Sequence, residues 1–339
     1  MLTGTLPPWS ADLSAAAQAA GEDVALGLQL AAKFGAQLPL PGGGATGLRW
    51  QLLAEVGAAD LTAARILEAH GDALAIVAEA ADAGDAGDQA PSGTWGVFAA
   101  EGPNARLDAS MGSAGWRLDG TKPWCSLGGV LDHALVTAYA GQARRLFAVD
   151  LQQPSVRAEP SSGWAARGLR NIPSGPVHFS ATPARPVGGP GWYLTRPGFA
   201  WGGLGVAACW YGGAWALSRT LQAAAVRRGL DQLLSLHVGA VDVALHAAST
   251  SLLDAARLVD GAAGDGAASG ELLALRVRSV VADAVERVIT HVGHALGPAP
   301  LAFDEEHARR VADLEIYVRQ HHAERDLARL GALVSGDGS

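Results

Sequence analysis

A change of period along the chain constrains its fold more than any other feature. Residues 10–90 are rich in Ala and Leu and read as helices. Residues 94–190 break into short apolar runs between turn residues, and helical patterning returns from residue 198 onward. Few layered architectures place one β unit between two helical units. In the first zone, residues 39–44, PLPGGG, stop the helical pattern, since Pro lacks an amide donor and Gly has no helical preference. The spacing predicts a helix over 48–80. Leu52, Leu53, Val56, Leu61, Ile66, Leu74, Ile76 and Val77 recur on one face, with Gly57 and Gly71 as interruptions. Residues 81–93, ADAGDAGDQAPSG, predict a flexible acidic link.

In the second zone, runs at 94–100, 115–118, 133–138, 145–150 and 177–180 predict strands of a small barrel or open sheet. Asp119-Gly120 between GWRL and TKPW predicts a tight hairpin, because Gly supplies the positive φ such a turn needs. The third zone opens with Phe199–Leu217, 19 residues without a charge and close to a membrane span in length. Its five glycines and three tryptophans, and the lack of a second such run, favour a helix buried on all sides in a water-soluble core. Helices are predicted over 219–261, 272–297 and 304–333, the last capped by Asp304. Four long helices after a β unit suggest a bundle, and no internal repeat is evident.

A chain of 339 residues suits two or three units, here 1–92, 93–195 and 196–339. Its 25 basic residues are scattered under a net charge of −8, which argues against a nucleic-acid binder. Only Lys33 and Lys122 are lysines. With so much Ala, Gly and Arg, single residues of these types carry less weight. Cys125 and Cys209 make no disulfide framework, and no Cys/His cluster has zinc spacing. No basic residue precedes Lys33, so the start lacks a signal-peptide charge. A cytoplasmic protein without a membrane span is expected. The glycine-rich runs do not follow a strand–turn–helix pattern, and no Ser sits in G-x-S-x-G.

Three stretches carry a resemblance. They are GVFAAEGP at 96–103, GWRLDGTKPWCSLGGVLDHALVTA at 115–138 and GLRNIPSGPVHFSATPARPVGGPGWYL at 168–194. In this order, with helical ends, they resemble the acyl-CoA dehydrogenase family over about residues 48–333. The resemblance implies an N-terminal helical domain, a middle β-barrel or sheet domain and a C-terminal four-helix bundle. It also implies FAD in a cleft between the β domain and the bundle, and a homodimer or homotetramer. The implied reaction removes an α-proton and a β-hydride from an acyl-CoA or related small molecule. Trp124 would then face the flavin, Ser126 would offer a hydroxyl and an N–H beside it, and Phe98 and Ala100 would lie at its pyrimidine edge. Arg227 would grip the FAD diphosphate of a neighbouring subunit. Without the resemblance, Trp124 reads as β-domain core, and Arg227 with Arg228 as a solvated helix face.

The chain departs from the family at several places. Ala100 replaces a Thr, Leu230-Asp231 stands for Phe-Gly, and Val238 stands for a Gln. An Asp beside a diphosphate is repulsive unless it turns away. The family's catalytic Glu most often follows a Tyr, yet Tyr317 here is followed by Val318, and the run 199–217 holds no acid. Glu315, His321, His322, Glu324 and Asp326 are the nearby titratable residues, with His321 on roughly the face of Val318. The same residues also read as a charged, solvated helix face, and His70 and His178 as structural. Three readings follow: dehydrogenation with an unorthodox base, hydroxylation with reduced flavin from a partner reductase, or a flavin-free binding or assembly protein.

Overall fold

Four helices open the chain: α1 (Ser10–Ala20), α2 (Val24–Phe34), α3 (Thr46–Ala59) and α4 (Leu61–Asp82). The computed structural model describes residues 2, 5–84, 92–160, 163–261 and 267–336, so most of the expected acidic link lies outside the described residues. The single helix expected over 48–80 is two helices. Asp60 separates them: its backbone is extended (φ −156°, ψ 133°), and its carboxylate accepts the Ala63 N–H to cap α4. Gly57 and Gly71 do not interrupt anything. They sit inside α3 and α4 where other chain segments come close, and a Cβ at Gly57 would lie 2.5 Å from the Cys209 carbonyl oxygen.

The β zone holds β1 (Trp95–Phe98), β2 (Leu107–Gly112), β3 (Gly115–Ser126), β4 (His133–Ala140), β5 (Ala143–Asp150), β6 (Val156–Ala158) and β7 (Ser174–Val187). The order β4-β2-β3-β7-β5 closes through the β4–β5 pairing into a small barrel, with β1 beside β4 and β6 beside β7. Asp119-Gly120 is not the hairpin turn. The turn is residues 113–114, with Gly112 opposite Gly115, and β3 runs on through Gly120 as a bulge against β7. Gly120 has φ +120°, and a Cβ there would lie 2.3 Å from the Arg106 carbonyl oxygen. The Asp-Gly pair thus signalled a positive φ, which a bulge requires as much as a turn does.

The helical end comprises α5 (Trp192–Thr195), α6 (Pro197–Arg228), α7 (Gln232–Gly261), α8 (Ala267–Leu296), α9 (Ala299–Phe303), α10 (Glu305–Tyr317) and α11 (Glu324–Ser335). The uncharged run lies within α6 and is continuously buried from Leu204 to Ala214, packed on α3, α7 and α8. That helix does not end near residue 218 but at Gly229, and Asp231 caps α7 by accepting the Leu234 N–H at 2.7 Å. The last expected helix is also interrupted. A 3-10 turn over Val318–Gln320, an extended His321 and Ala323 at φ +48° separate α10 from α11. By length and composition α7 alone among the described helices could cross a membrane, but its buried residues, Val241, Ala244 and Leu252 among them, belong to the core shared with α6 and α8.

Candidate functional site

Two spaces meet where β3 ends. The larger is a cavity of about 610 Å³ walled by Trp124, Trp164, Pro123, Val130, Pro160 and Val177, with Gly128, Gly129 and Gly175 in its lining. The smaller is a slot of about 20 Å³ between α4 and the sheet, lined by Arg65, Ile66, Trp95, Phe98, Leu131 and Ile172. Leu127 lines both, while Ser126 faces the slot and Ser174 the cavity, with their hydroxyl oxygens 2.8 Å apart.

Backbone strain marks the shared wall. Trp124 and Leu127 both have φ +58°, a left-handed region that costs a side chain about 1–3 kcal/mol and that surrounding packing must sustain. The strain turns Trp124 outward, leaving it 60% exposed at the cavity. On the far side, the loop carrying Trp164 and Asn171 is docked onto α10. The Leu169 N–H donates to Asp313 at 2.5 Å, and a Cβ at Gly168 would lie 1.9 Å from the Ala312 carbonyl oxygen. Burial pushes the Asp313 carboxyl up to about 6, against the hydrogen bond from Leu169.

Charged groups on α4 back the slot. Arg65 Nη1 donates to Glu68 Oε2 at 2.7 Å, and Tyr317 Oη donates to the same oxygen at 3.2 Å. Arg65 Nη2 reaches across to Ser126 Oγ at 3.3 Å. Because Arg only donates and the Ile172 carbonyl only accepts, the order of donation is Arg65 to Ser126 to Ser174 to Ile172. Burial raises the Glu68 carboxyl, with Arg65 opposing it. Burial likewise raises Asp72 one turn further on, opposed by Arg196 and Arg49. Burial pushes the Cys125 thiol up to about 12 and raises that of Cys209 as well, so neither is a thiolate nucleophile.

The residues expected at a flavin are divided among these spaces. Ser126 and Phe98 line the slot, Trp124 lines the cavity, and Ala100 lies exposed beyond the end of β1. Arg227 stands exposed at the end of α6, lining neither space, and Asp231 is turned into its own helix as a cap. Val318 is buried, with no carboxylate at that position. His321 does not share a helical face with Val318, because the helix has ended. Its Nδ1 accepts the Ala323 N–H, so Nε2 carries the proton and donates to Ser279 on α8 at 3.0 Å. Its described partners lie away from both spaces. His70 accepts the Trp95 N–H, and burial lowers it to about 4, a neutral structural role.

Arg65 and Glu68 were missed in the sequence. Their signal was present: two charges three residues apart on the inward face of an Ala-rich helix. The scattered arginines concealed it.

No family model matches the chain, and no curated protein matches it in sequence. Solved structures do match in fold. TdsC from Paenibacillus sp. A11-2, in complex with FMN and indole, has a TM-score of 0.77 at 17% identity over 95% of each chain. TdsC is described as a dibenzothiophene monooxygenase. Butyryl-CoA dehydrogenase from Megasphaera elsdenii has a TM-score of 0.75 at 16% identity over 98% of this chain and all of its own. KijD3, in complex with FMN and a dTDP-amino-keto-sugar, has a TM-score of 0.75 at 18% identity over 98% and 95%. The chain therefore has the acyl-CoA dehydrogenase fold.

Proposed function

We propose that this chain is a flavin-dependent oxidoreductase acting on a small molecule, with the flavin ring in the cavity walled by Trp124 and Trp164. That cavity is the observation that carries the reading. Its walls are aromatic and aliphatic, its lining includes four glycines, and among the described residues Glu159 is the one charged group that lines it. Glu159 is paired with His178 at 2.8 Å. Such a lining suits a flat, uncharged ring. No Lys or Arg among the described residues lines it, so the ring rather than a phosphate is what this wall would hold. FAD was the expected flavin. The FMN bound to TdsC and KijD3 makes FMN an equal candidate.

Bound flavin would supply hydride acceptance or, once reduced, oxygen activation. This chain's residues favour the second. Dehydrogenating an acyl thioester calls for a carboxylate base and room for an apolar chain. Here Val318 stands at the expected base position, and the slot is crossed by the Arg65 guanidinium, which suits a charged group better than an acyl chain. Reduced flavin would come from a partner reductase. Supplying FMN, NADH and a flavin reductase in air should give a mono-oxygenated product from a small aromatic substrate. Flavin bleaching by an acyl-CoA without oxygen would overturn this choice and restore the dehydrogenase.

The proposal extends to a homodimer or homotetramer. Val226, Leu230, Leu233, Leu236 and Val243 are all more than half exposed where α6 turns into α7, an apolar surface suited to a second subunit.

A further inference from the structure

The slot combines features that point to its ligand. Ile66, Trp95, Phe98, Leu131 and Ile172 make it apolar and aromatic on most sides. Among the described residues one charged side chain enters it, Arg65, whose two terminal nitrogens have different tasks. Nη1 is held by Glu68 at 2.7 Å, whereas Nη2 has, among the described residues, the neutral Ser126 hydroxyl at 3.3 Å. A guanidinium surrounded by apolar groups binds an oxyanion far more strongly than a hydroxyl, because charge-assisted bonds gain most where water is excluded. Ser126 stands beside it as a second donor, since its proton turns from Ser174 to an arriving oxygen at little cost. About 20 Å³ holds little more than one water, so Arg65 is a bar across the slot that must swing for anything larger to enter.

We propose that Arg65, with Ser126, recognises an anionic oxygen group on the substrate, so that the site selects a small apolar or aromatic acid anion. This names the substrate class of the flavin site proposed above and rests on that reading for its catalytic meaning. Binding itself is measured separately. Glu68 faces Arg65, Tyr317, Asp72, Cys209, Arg49 and Arg278 within the layer of α3, α4, α6, α8 and α10. Three guanidiniums thus stand against the two carboxylates Glu68 and Asp72, so an added carboxylate meets a local excess of positive charge.

The probe is benzoate, with benzyl alcohol as its uncharged counterpart, titrated into the full chain while Trp fluorescence and Tm are followed. The titrations are repeated with FMN present. Benzoate is expected to bind at least about tenfold more tightly than benzyl alcohol. Arg65→Met should erase the preference for the anion, Arg65→Lys should keep part of it, and Glu68→Gln, which removes the carboxylate paired with Arg65, should strengthen it. Equal binding of the two probes, no binding of benzoate, or a preference that survives Arg65→Met in a folded variant would each overturn the proposal. Absence of FMN binding with the benzoate preference intact would instead remove the flavin reading alone.

Discussion

Trp124 lines the large cavity and Asp313 anchors the loop that carries Trp164, and each is held in an unfavourable state by its surroundings. Trp124 is kept at positive φ with its indole mostly exposed, a cost that burying the ring against a flat ligand would offset. Trp124→Ala should therefore weaken flavin binding by about tenfold or more while leaving Tm almost unchanged, as a titration followed by flavin fluorescence would record. Asp313 has its carboxyl raised by burial from 3.8 to about 6. Its folded pKa lies above its unfolded one, so its stabilising contribution is complete below pH 3.8 and is lost as pH rises through 6. The penalty above pH 7 is about 3 kcal/mol. Asp313→Asn keeps an acceptor for the Leu169 N–H and removes the charge. Its Tm should exceed that of the parent at pH 7.5 by several degrees, and the gain should vanish near pH 4. At this scale the sequence was only partly legible. The motif singled out Trp124 and Ser126, which line the two spaces, but nothing singled out Arg65 and Glu68, because a buried ion pair looks like a solvated one until the facing layer is known.

Among the elements, α3 and α6 approach each other closely. A Cβ at Gly212 would lie 2.0 Å from the Ala54 carbonyl oxygen, and one at Gly57 would lie 2.5 Å from that of Cys209. These reciprocal glycines let two helix backbones touch and fix α4 and the slot relative to the bundle. Gly212→Ala should cost about 3 kcal/mol, read as a fall in the urea midpoint. Gly239→Ala on α7, where a Cβ meets nothing within 4 Å, should be neutral or stabilising by up to about 1 kcal/mol. Element types were readable from period alone, and the breaks were not. The helix over 48–80 divided at Asp60, where a capping carboxylate outweighed continuous apolar spacing. The helix over 304–333 divided at His321–Ala323, where side chains from α8 hold an extended backbone. The Asp119-Gly120 signal was real, but its positive φ served a bulge rather than a turn.

Across the whole molecule, the N-terminal helices pack directly on the C-terminal bundle and the barrel meets them along α4, a seam that holds the slot, with the cavity adjoining it across Leu127. The order of helical, β and helical zones anticipated the element types but not that packing, because the period of apolar residues changes with the element type and survives a strong composition bias. The apolar corner of α6 and α7 was not foreseen, since the same leucines and valines would suit a core. Leu233→Glu with Leu236→Glu should shift the light-scattering mass of the purified protein to that of one 34.6 kDa chain. An unchanged larger mass would assign assembly to another surface. The central claim, that the seam holds a flavin ring, is tested most directly by the visible absorption spectrum after adding excess FMN or FAD to the purified protein and desalting. The account predicts a shifted flavin band while FMN or FAD is in excess, lost in Trp124→Ala, and a weaker one after desalting, as a user of reduced flavin from a reductase requires. A colourless desalted protein that neither flavin perturbs, in oxidised or reduced form, would contradict it.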